Sequence, residues 1–378
     1  MSEIHMLTMP KWGLSMKEGK VNEWLKGVGD PIEVGEEIVE VESEKIAGAV
    51  EASVAGVLRR QTAGDEDVLP VGGLLGVVAD AEVADADIDA AVEAFLASFV
   101  PPSDDDEDSG PTPEKIEVAG RRIRFLKQGD GGEPLILVHG FGGDLNNWLF
   151  NQEALSSKRA VYALDLPGHG ESSKDVGEGT LESLADTLLA FMDTVGIDSA
   201  HLAGHSMGGA VCLQLAAKAP ARVGSLVLIC SAGLGEEING AYIDGFVAAQ
   251  DRRSLKPLLA ELFADTSLVT RQLVDDMLKY KRLEGVGTAL DKLAGAMFAD
   301  GRQQTLLTGV PQGLGKPVLV IWGEQDRIIP ASHAPEAAGL VRVEVLAGQG
   351  HMAQMEAAGD INRLIEGFLV HSFPTRVL

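Results

Sequence analysis

The sequence predicts a multidomain chain: a small all-β module over residues 1–80, joined to a larger α/β unit over 116–378. Three observations carry this expectation. In the first eighty residues, short runs such as "GKVNEWL", "GEEIVEVE" and "AGVLRR" are broken by Gly-Asp and Gly-Asp-Glu signals, as strands separated by tight turns require. From 134 onward, continuous apolar runs ("PLILVHG", "AHLAGHS", "PVLVIWG") alternate with helix-length segments, which is the pattern of a parallel sheet covered on both faces. Between the two lies "PPSDDDEDSGPTPE" (101–114), too polar to pack and self-repelling enough to stay extended.

The β module repeats itself faintly, "KEGKVNEWLKGVGDPIEVGEEIVEV" being echoed by "VAGVLRRQTAGDEDVLPVGGLLGVV". Two similar halves of a flattened barrel or sandwich fit such a repeat. Residues 83–99 space Ile88, Val92, Phe95, Leu96 and Phe99 as one amphipathic helix, so 81–115 reads as a helix followed by the acidic linker. The second unit opens with a hairpin around "KIEVAGRRIRFL" and continues with strands at 134–140, 159–166, 200–206 and 223–231. Helices fall near 180–195 and 207–219. Residues 235–308 run as helices without a convincing strand, and the sheet resumes at 317–323 and 341–348 before a final helix near 353–370. A helical insertion late in such a sheet reads as a lid.

The net charge of −26 would repel phosphate backbones and anionic lipid, so neither nucleic acid nor a membrane surface is an expected partner. No run approaches a membrane span and the N-terminus lacks a basic-then-apolar signal, so the expected location is the cytoplasm. Cys212 and Cys230 alone make neither a disulfide framework nor a zinc site; no metal is expected.

Chemistry concentrates in the second unit. "GHSMGG" (204–209) follows an apolar strand and precedes a helix, the G-x-S-x-G elbow in which a strained turn exposes Ser206. "WGEQDRIIP" then places Asp326 beyond a later strand, and "AGQGHMAQME" places His351 in the loop after the next. The serine hydroxyl needs His351 to take its proton, and Asp326 to fix the imidazole tautomer and stabilise the imidazolium. "HGFGG" (139–143) offers the backbone N–H of Phe141, and the elbow that of Met207, as oxyanion donors. Glu236 and Glu237 are less suited rivals for the acid, while His139, His169 and His205 read as loop-packing residues. Arg252, Arg253 and Lys256 are weak candidates for holding phosphate.

The order Ser206, Asp326, His351 closely resembles the α/β-hydrolase family from about 116 to 370. The first module resembles a lipoyl domain: "MPKWGLSMKEGKVNEWLKGVGDPIEVGEEIVEVESEKI" carries the opening Met-Pro, the Gly-Asp turn and a strand leading to Lys45, with Gly35 ahead and Gly56 behind. That resemblance implies lipoate on the Lys45 amine, at an exposed hairpin tip. Glu44 and Ile46 depart from the usual Asp and Ala or Val, and the methionines that flank the lysine of biotin carriers are absent.

The whole chain resembles the acyltransferase (E2) component of acetoin dehydrogenase complexes, and the His-x-x-x-Asp-Gly motif of ordinary 2-oxo acid dehydrogenase E2 cores is absent. The resemblance implies acetyl transfer from lipoyl-lysine to coenzyme A. It also implies a thiamine-diphosphate E1 that loads the arm, a dihydrolipoyl dehydrogenase E3 that reoxidises it, and an oligomeric complex. The alternative is a thioesterase or esterase with a fused carrier, because the same triad accepts water in principle. A scaffold whose hydrolase unit only binds partners is the reading from a different class.

Overall fold

The computed structural model describes residues 4–10, 16–43, 47–52, 54–101, 111–336 and 338–371. Lys45 lies outside them. The chain divides into two compact units, Met1–Gly110 and Pro111–Leu378.

Among the described residues the first unit holds eight short strands: β1 (Ile4–Thr8), β2 (Glu18–Trp24), β3 (Pro31–Ile32), β4 (Glu37–Glu42), β5 (Ala47–Glu51), β6 (Gly56–Gln61), β7 (Val68–Pro70) and β8 (Leu74–Ala79). They form two four-stranded sheets, β1-β8-β6-β3 and β5-β4-β2-β7. The first copy of the sequence repeat gives β2 and β4 to one sheet and β3 to the other, the second copy gives β6 and β8 to that other sheet and β7 to the first, and every pairing is antiparallel. Alternation supplies the core: Val39 and Val41 of β4 are buried with Val21 and Leu75, while Glu40 and Glu42 are exposed.

Helix α1 (Asp85–Ser98) belongs to this unit. Its Ile88 is buried with Val77, Ala79 and Val83, and Arg59 and Arg60 hold Asp85 and Asp89 at 2.9 Å.

Among the described residues the second unit is built on an eight-stranded sheet ordered β16-β15-β14-β13-β11-β12-β10-β9. The hairpin β9 (Glu114–Val118) and β10 (Arg121–Gln128) is antiparallel, and β10 pairs antiparallel with β12 (Val161–Leu164). The rest is parallel: β11 (Leu135–Val138), β13 (Ala200–His205), β14 (Val223–Ile229), β15 (Val318–Gly323) and β16 (Val341–Leu346). All residues of β11, β13, β14 and β15 are buried, so both faces of the central sheet are covered. Helix α2 (Leu149–Leu155) packs with α11 (Ala358–His371), and α3 (Leu181–Thr194) with α4 (Met207–Lys218).

The lid comprises α5 (Gly240–Ala248), α6 (Arg252–Ala260), α7 (Arg271–Lys281) and α8 (Val286–Met297), after which the short α9 (Val310–Gly313) leads back to β15. Its two ends are clipped together. Gln303 Oε1 accepts the N–H of Gly233 at 2.6 Å, its own N–H donates to the Glu236 carbonyl at 2.9 Å, and Glu237 forms a β-bridge with Arg302.

Two details differ from the sequence pattern. "LFNQEAL" forms α2, whose buried Asn151 and Gln152 interrupt the apolar face that would have marked it. The final helix is two, α10 (Ala353–Glu356) and α11, separated where Ala357 leaves the helical region at φ −127° and ψ 48°.

Candidate active site

Ser206 sits between β13 and α4 at φ +52°, ψ −119°, a conformation a serine adopts only when its surroundings impose it. They do. Its N–H donates to the Ile229 carbonyl at 3.0 Å, and its own carbonyl accepts from Gly209 and Ala232, each at 3.0 Å. The flanking glycines permit the tight passage: a Cβ at Gly208 would overlap the carbonyls of Val138 and His139, and one at Gly204 would overlap the backbone of Gly208.

His351 and Asp326 meet as the sequence order implies. His351 Nδ1 donates to Asp326 Oδ2 at 2.8 Å, with both side chains almost wholly buried. Asp326 is itself held: Oδ1 accepts the N–H groups of Ile328 at 2.8 Å and Ile329 at 3.0 Å, and Oδ2 accepts Trp322 Nε1 at 3.1 Å. Burial opposes its charge, but His351 and these N–H donors outweigh burial and hold the carboxyl below its usual range. With Nδ1 engaged, His351 keeps Nε2 for proton transfer.

The N–H groups of Phe141 and Met207 have no hydrogen-bond acceptor among the described residues. The loop that carries Phe141 is fixed by His139, whose Nδ1 donates to the Gly140 carbonyl at 2.7 Å and whose Nε2 accepts the Leu166 N–H at 3.0 Å. The Phe141 ring packs edge-on against Phe246 and Phe298 of the lid segment, at 6.0 and 5.9 Å.

Ser206 and His351 open into one pocket, walled mainly by lid side chains including Phe246, Leu259, Phe263 and Met277. The wall is apolar. Glu237 bonds His333 at 2.7 Å and Glu236 faces Arg302 at 3.4 Å, so the rival acids are engaged elsewhere. Cys230 is buried beside Asp326, and burial together with that carboxylate raises its thiol pKa.

Two contributors are invisible in the sequence pattern. His205, read only as a packing residue, donates through Nε2 to the carbonyl of His351 at 2.9 Å. Burial, reinforced by the neighbouring His351, pushes its pKa down to about 3, so it stays neutral. Glu356 accepts the N–H of Gly350 at 2.7 Å through one oxygen and that of Ala264, in the lid, at 2.6 Å through the other. A carboxylate shortly after a Gly-rich loop is the one signal that could have pointed to it.

In the first unit, Lys45 falls outside the described residues. The strands on either side are described, and β4 and β5 pair with Glu42 opposite Ala47. These two strands pair antiparallel within the sheet β5-β4-β2-β7.

The fold and site define an α/β hydrolase preceded by a lipoyl-type module. The "alpha/beta hydrolase fold" family matches residues 133–358 and the "Biotin-requiring enzyme" family residues 5–78. The dihydrolipoyllysine-residue acetyltransferase component of the acetoin cleaving system of Pseudomonas putida is 56% identical over 98% of this chain and 99% of its own. Its counterpart in Cupriavidus necator is 50% identical over 96% of each chain. This chain belongs to that family of acetyltransferase components. Among solved structures, the meta-cleavage product hydrolase of Pseudomonas fluorescens IP01 superposes with a TM-score of 0.63 at 25% identity, over 69% of this chain and 98% of that one.

Proposed function

We propose that this chain is the acyltransferase subunit of an acetoin-cleaving complex and moves acetyl from a lipoyl group on Lys45 to coenzyme A at Ser206. Lipoate amide-linked to Lys45 would supply a dithiolane whose reduced form carries acetyl as a thioester on one of its two sulfurs. The observation that carries the reading is the Asp326–His351 pair beside a strained serine in an apolar pocket walled by the lid.

Ser206 Oγ attacks the thioester carbonyl as His351 Nε2 takes its proton, forming the C–O bond. The oxyanion accepts the N–H groups of Phe141 and Met207. As the C–S bond breaks, His351 returns the proton to the departing thiolate. The thiol of coenzyme A then gives its proton to His351 and attacks the acyl-serine, forming a new C–S bond; as the C–O bond to Ser206 breaks, His351 returns the proton to Ser206 Oγ. Asp326 stabilises the imidazolium in both halves. The apolar lid wall disfavours water as the acceptor.

The partners of this reading are a thiamine-diphosphate E1 that loads the arm and a dihydrolipoyl dehydrogenase E3 that reoxidises it. The compartment is the cytoplasm; no helix among the described residues is long and apolar enough to cross a membrane.

Rapid quench of the chain with acetyl-coenzyme A, followed by peptide mass analysis, tests the mechanism. Acetyl on Ser206, and a loss of transfer of roughly a thousandfold or more in Ser206→Ala, are expected. Transfer that survives Ser206→Ala would refute the acyl-serine, and acetyl passing only to water would favour a thioesterase.

A further inference from the structure

The lid carries a second concavity, distinct from the catalytic pocket, between the start of α6 and the end of α7. Four cations line it, Arg252, Arg253, Lys279 and Arg282, together with two carboxylates, Asp251 and Asp275, and the side of Leu278. In a chain of net charge −26, such a concentration of positive charge calls for a reason.

The carboxylates are already engaged. Asp275 takes Arg252 through both oxygens, and Asp251 caps α6 by accepting the N–H and hydroxyl of Ser254, each at 2.8 Å. Lys279 is paired with Asp276 at 2.9 Å. The guanidinium groups of Arg253 and Arg282 have no hydrogen bond or ion pair among the described residues, and both residues are exposed. Lys256, the third cation singled out on this segment, does not line the groove.

We infer that this groove binds the phosphate-bearing end of coenzyme A, the 3′-phosphorylated ADP, through Arg253 and Arg282. The inference rests on coenzyme A being the acceptor. Guanidinium groups match phosphate oxygens in geometry as well as charge, and the groove shares its helices with the catalytic pocket. On α7, Leu278 lines the groove while its neighbour Met277 lines the pocket. On α6, Leu259 lines the pocket six residues after Arg253, about 9 Å along a helix axis. The flexible pantetheine arm bridges that separation and brings the thiol toward Ser206.

The test is calorimetric titration of the unlipoylated full-length chain with adenosine 3′,5′-bisphosphate, for the wild type, the double variant Arg253→Glu/Arg282→Glu and the control Lys256→Glu. Binding at least about tenfold weaker in the double variant, and little changed in the control, is expected from the loss of charge-assisted contacts. A wild type that does not bind, or a control that weakens as much as the double variant, overturns the assignment. Acetyl transfer to coenzyme A and to pantetheine separates this inference from the functional reading beneath it. If the double variant raises KM for coenzyme A but not for pantetheine, the groove stands; if both change alike, it falls. If neither thiol accepts acetyl from the wild type, the acyltransferase reading has failed, whereas phosphate binding is judged by the titration alone.

Discussion

The carboxylate of Glu356 holds the peptide N–H of Gly350 at 2.7 Å, fastening the residue before His351 to a side chain that also grips the lid. Its other oxygen accepts from Ala264 at 2.6 Å and from Asp265 at 3.2 Å. Lid and imidazole loop therefore share one acceptor.

Glu356→Gln keeps the shape but can turn an amide NH2 toward an N–H that needs an acceptor. We expect kcat for acetyl transfer to fall about tenfold, as loss of one charge-assisted hydrogen bond allows, with KM for coenzyme A unchanged. Steady-state kinetics beside a thermal melt checks this; an unchanged kcat would show that the lid and the His351 loop are held independently.

Acid should weaken the fold through its buried histidines. Burial holds the pKa values of His139, His169 and His205 below the usual 6.5, that of His205 at about 3. Below pH 6.5 the unfolded chain binds protons that these folded imidazoles refuse, so stability falls as pH falls, by up to about 1.4 kcal/mol per histidine per pH unit. Denaturant titrations at pH 7.5 and 5.5 should show the loss, and His205→Gln should reduce the slope. Asp326 acts lower: its depressed pKa gives stability above its ordinary 3.8 that disappears as pH falls through the folded value.

Gly208→Ala should destabilise the second unit by about 3 kcal/mol or more, because the added methyl would overlap the carbonyls of Val138 and His139 in a packed interior. Gly287→Ala, where the space around the new Cβ is open, is the matched control and should leave the melting temperature nearly unchanged. Equal effects at both positions would contradict the close passage beneath Ser206.

For the first unit, the intact mass of protein expressed with lipoate should carry a lipoyl increment that Lys45→Ala lacks. An unmodified wild type from a host that lipoylates other proteins would leave the triad without its carrier.

The site was legible where chemistry forces local sequence. Ser206 needs glycines on both sides because backbone passes within contact distance of them, so the elbow writes itself into five consecutive residues. Asp326 and His351 are legible because loops at the ends of parallel strands carry them in a fixed order. His205 and Glu356 were not, since their partners are peptide groups distant in sequence, 146 positions away for His205 and 92 for the lid contact of Glu356, and a peptide group leaves no compositional mark. The same holds for the fold. Apolar runs located every strand of the parallel sheet, while α2 was missed because Asn151 and Gln152 face inward to meet Asn362 and the carbonyls of Leu126 and Val161. The groove between α6 and α7 depends on two helices meeting, and the cations that each side carries, Arg252 and Arg253 on one and Lys279 and Arg282 on the other, do not announce that meeting in the sequence.

The clip at the base of the lid bears on how such a chain could diversify. Because Gly233 and Gln303 are bonded to each other, the helices between them leave the sheet and return to it at one place. The segment is topologically a cassette: exchanging it for another of different length needs no new path through the core, and loop closure is already provided at its ends. Ser206, on the other side of that junction, would keep its strained turn and its Asp326–His351 partner whatever cassette was installed. Recruitment of a new acyl acceptor could thus proceed by grafting rather than by rebuilding the nucleophile.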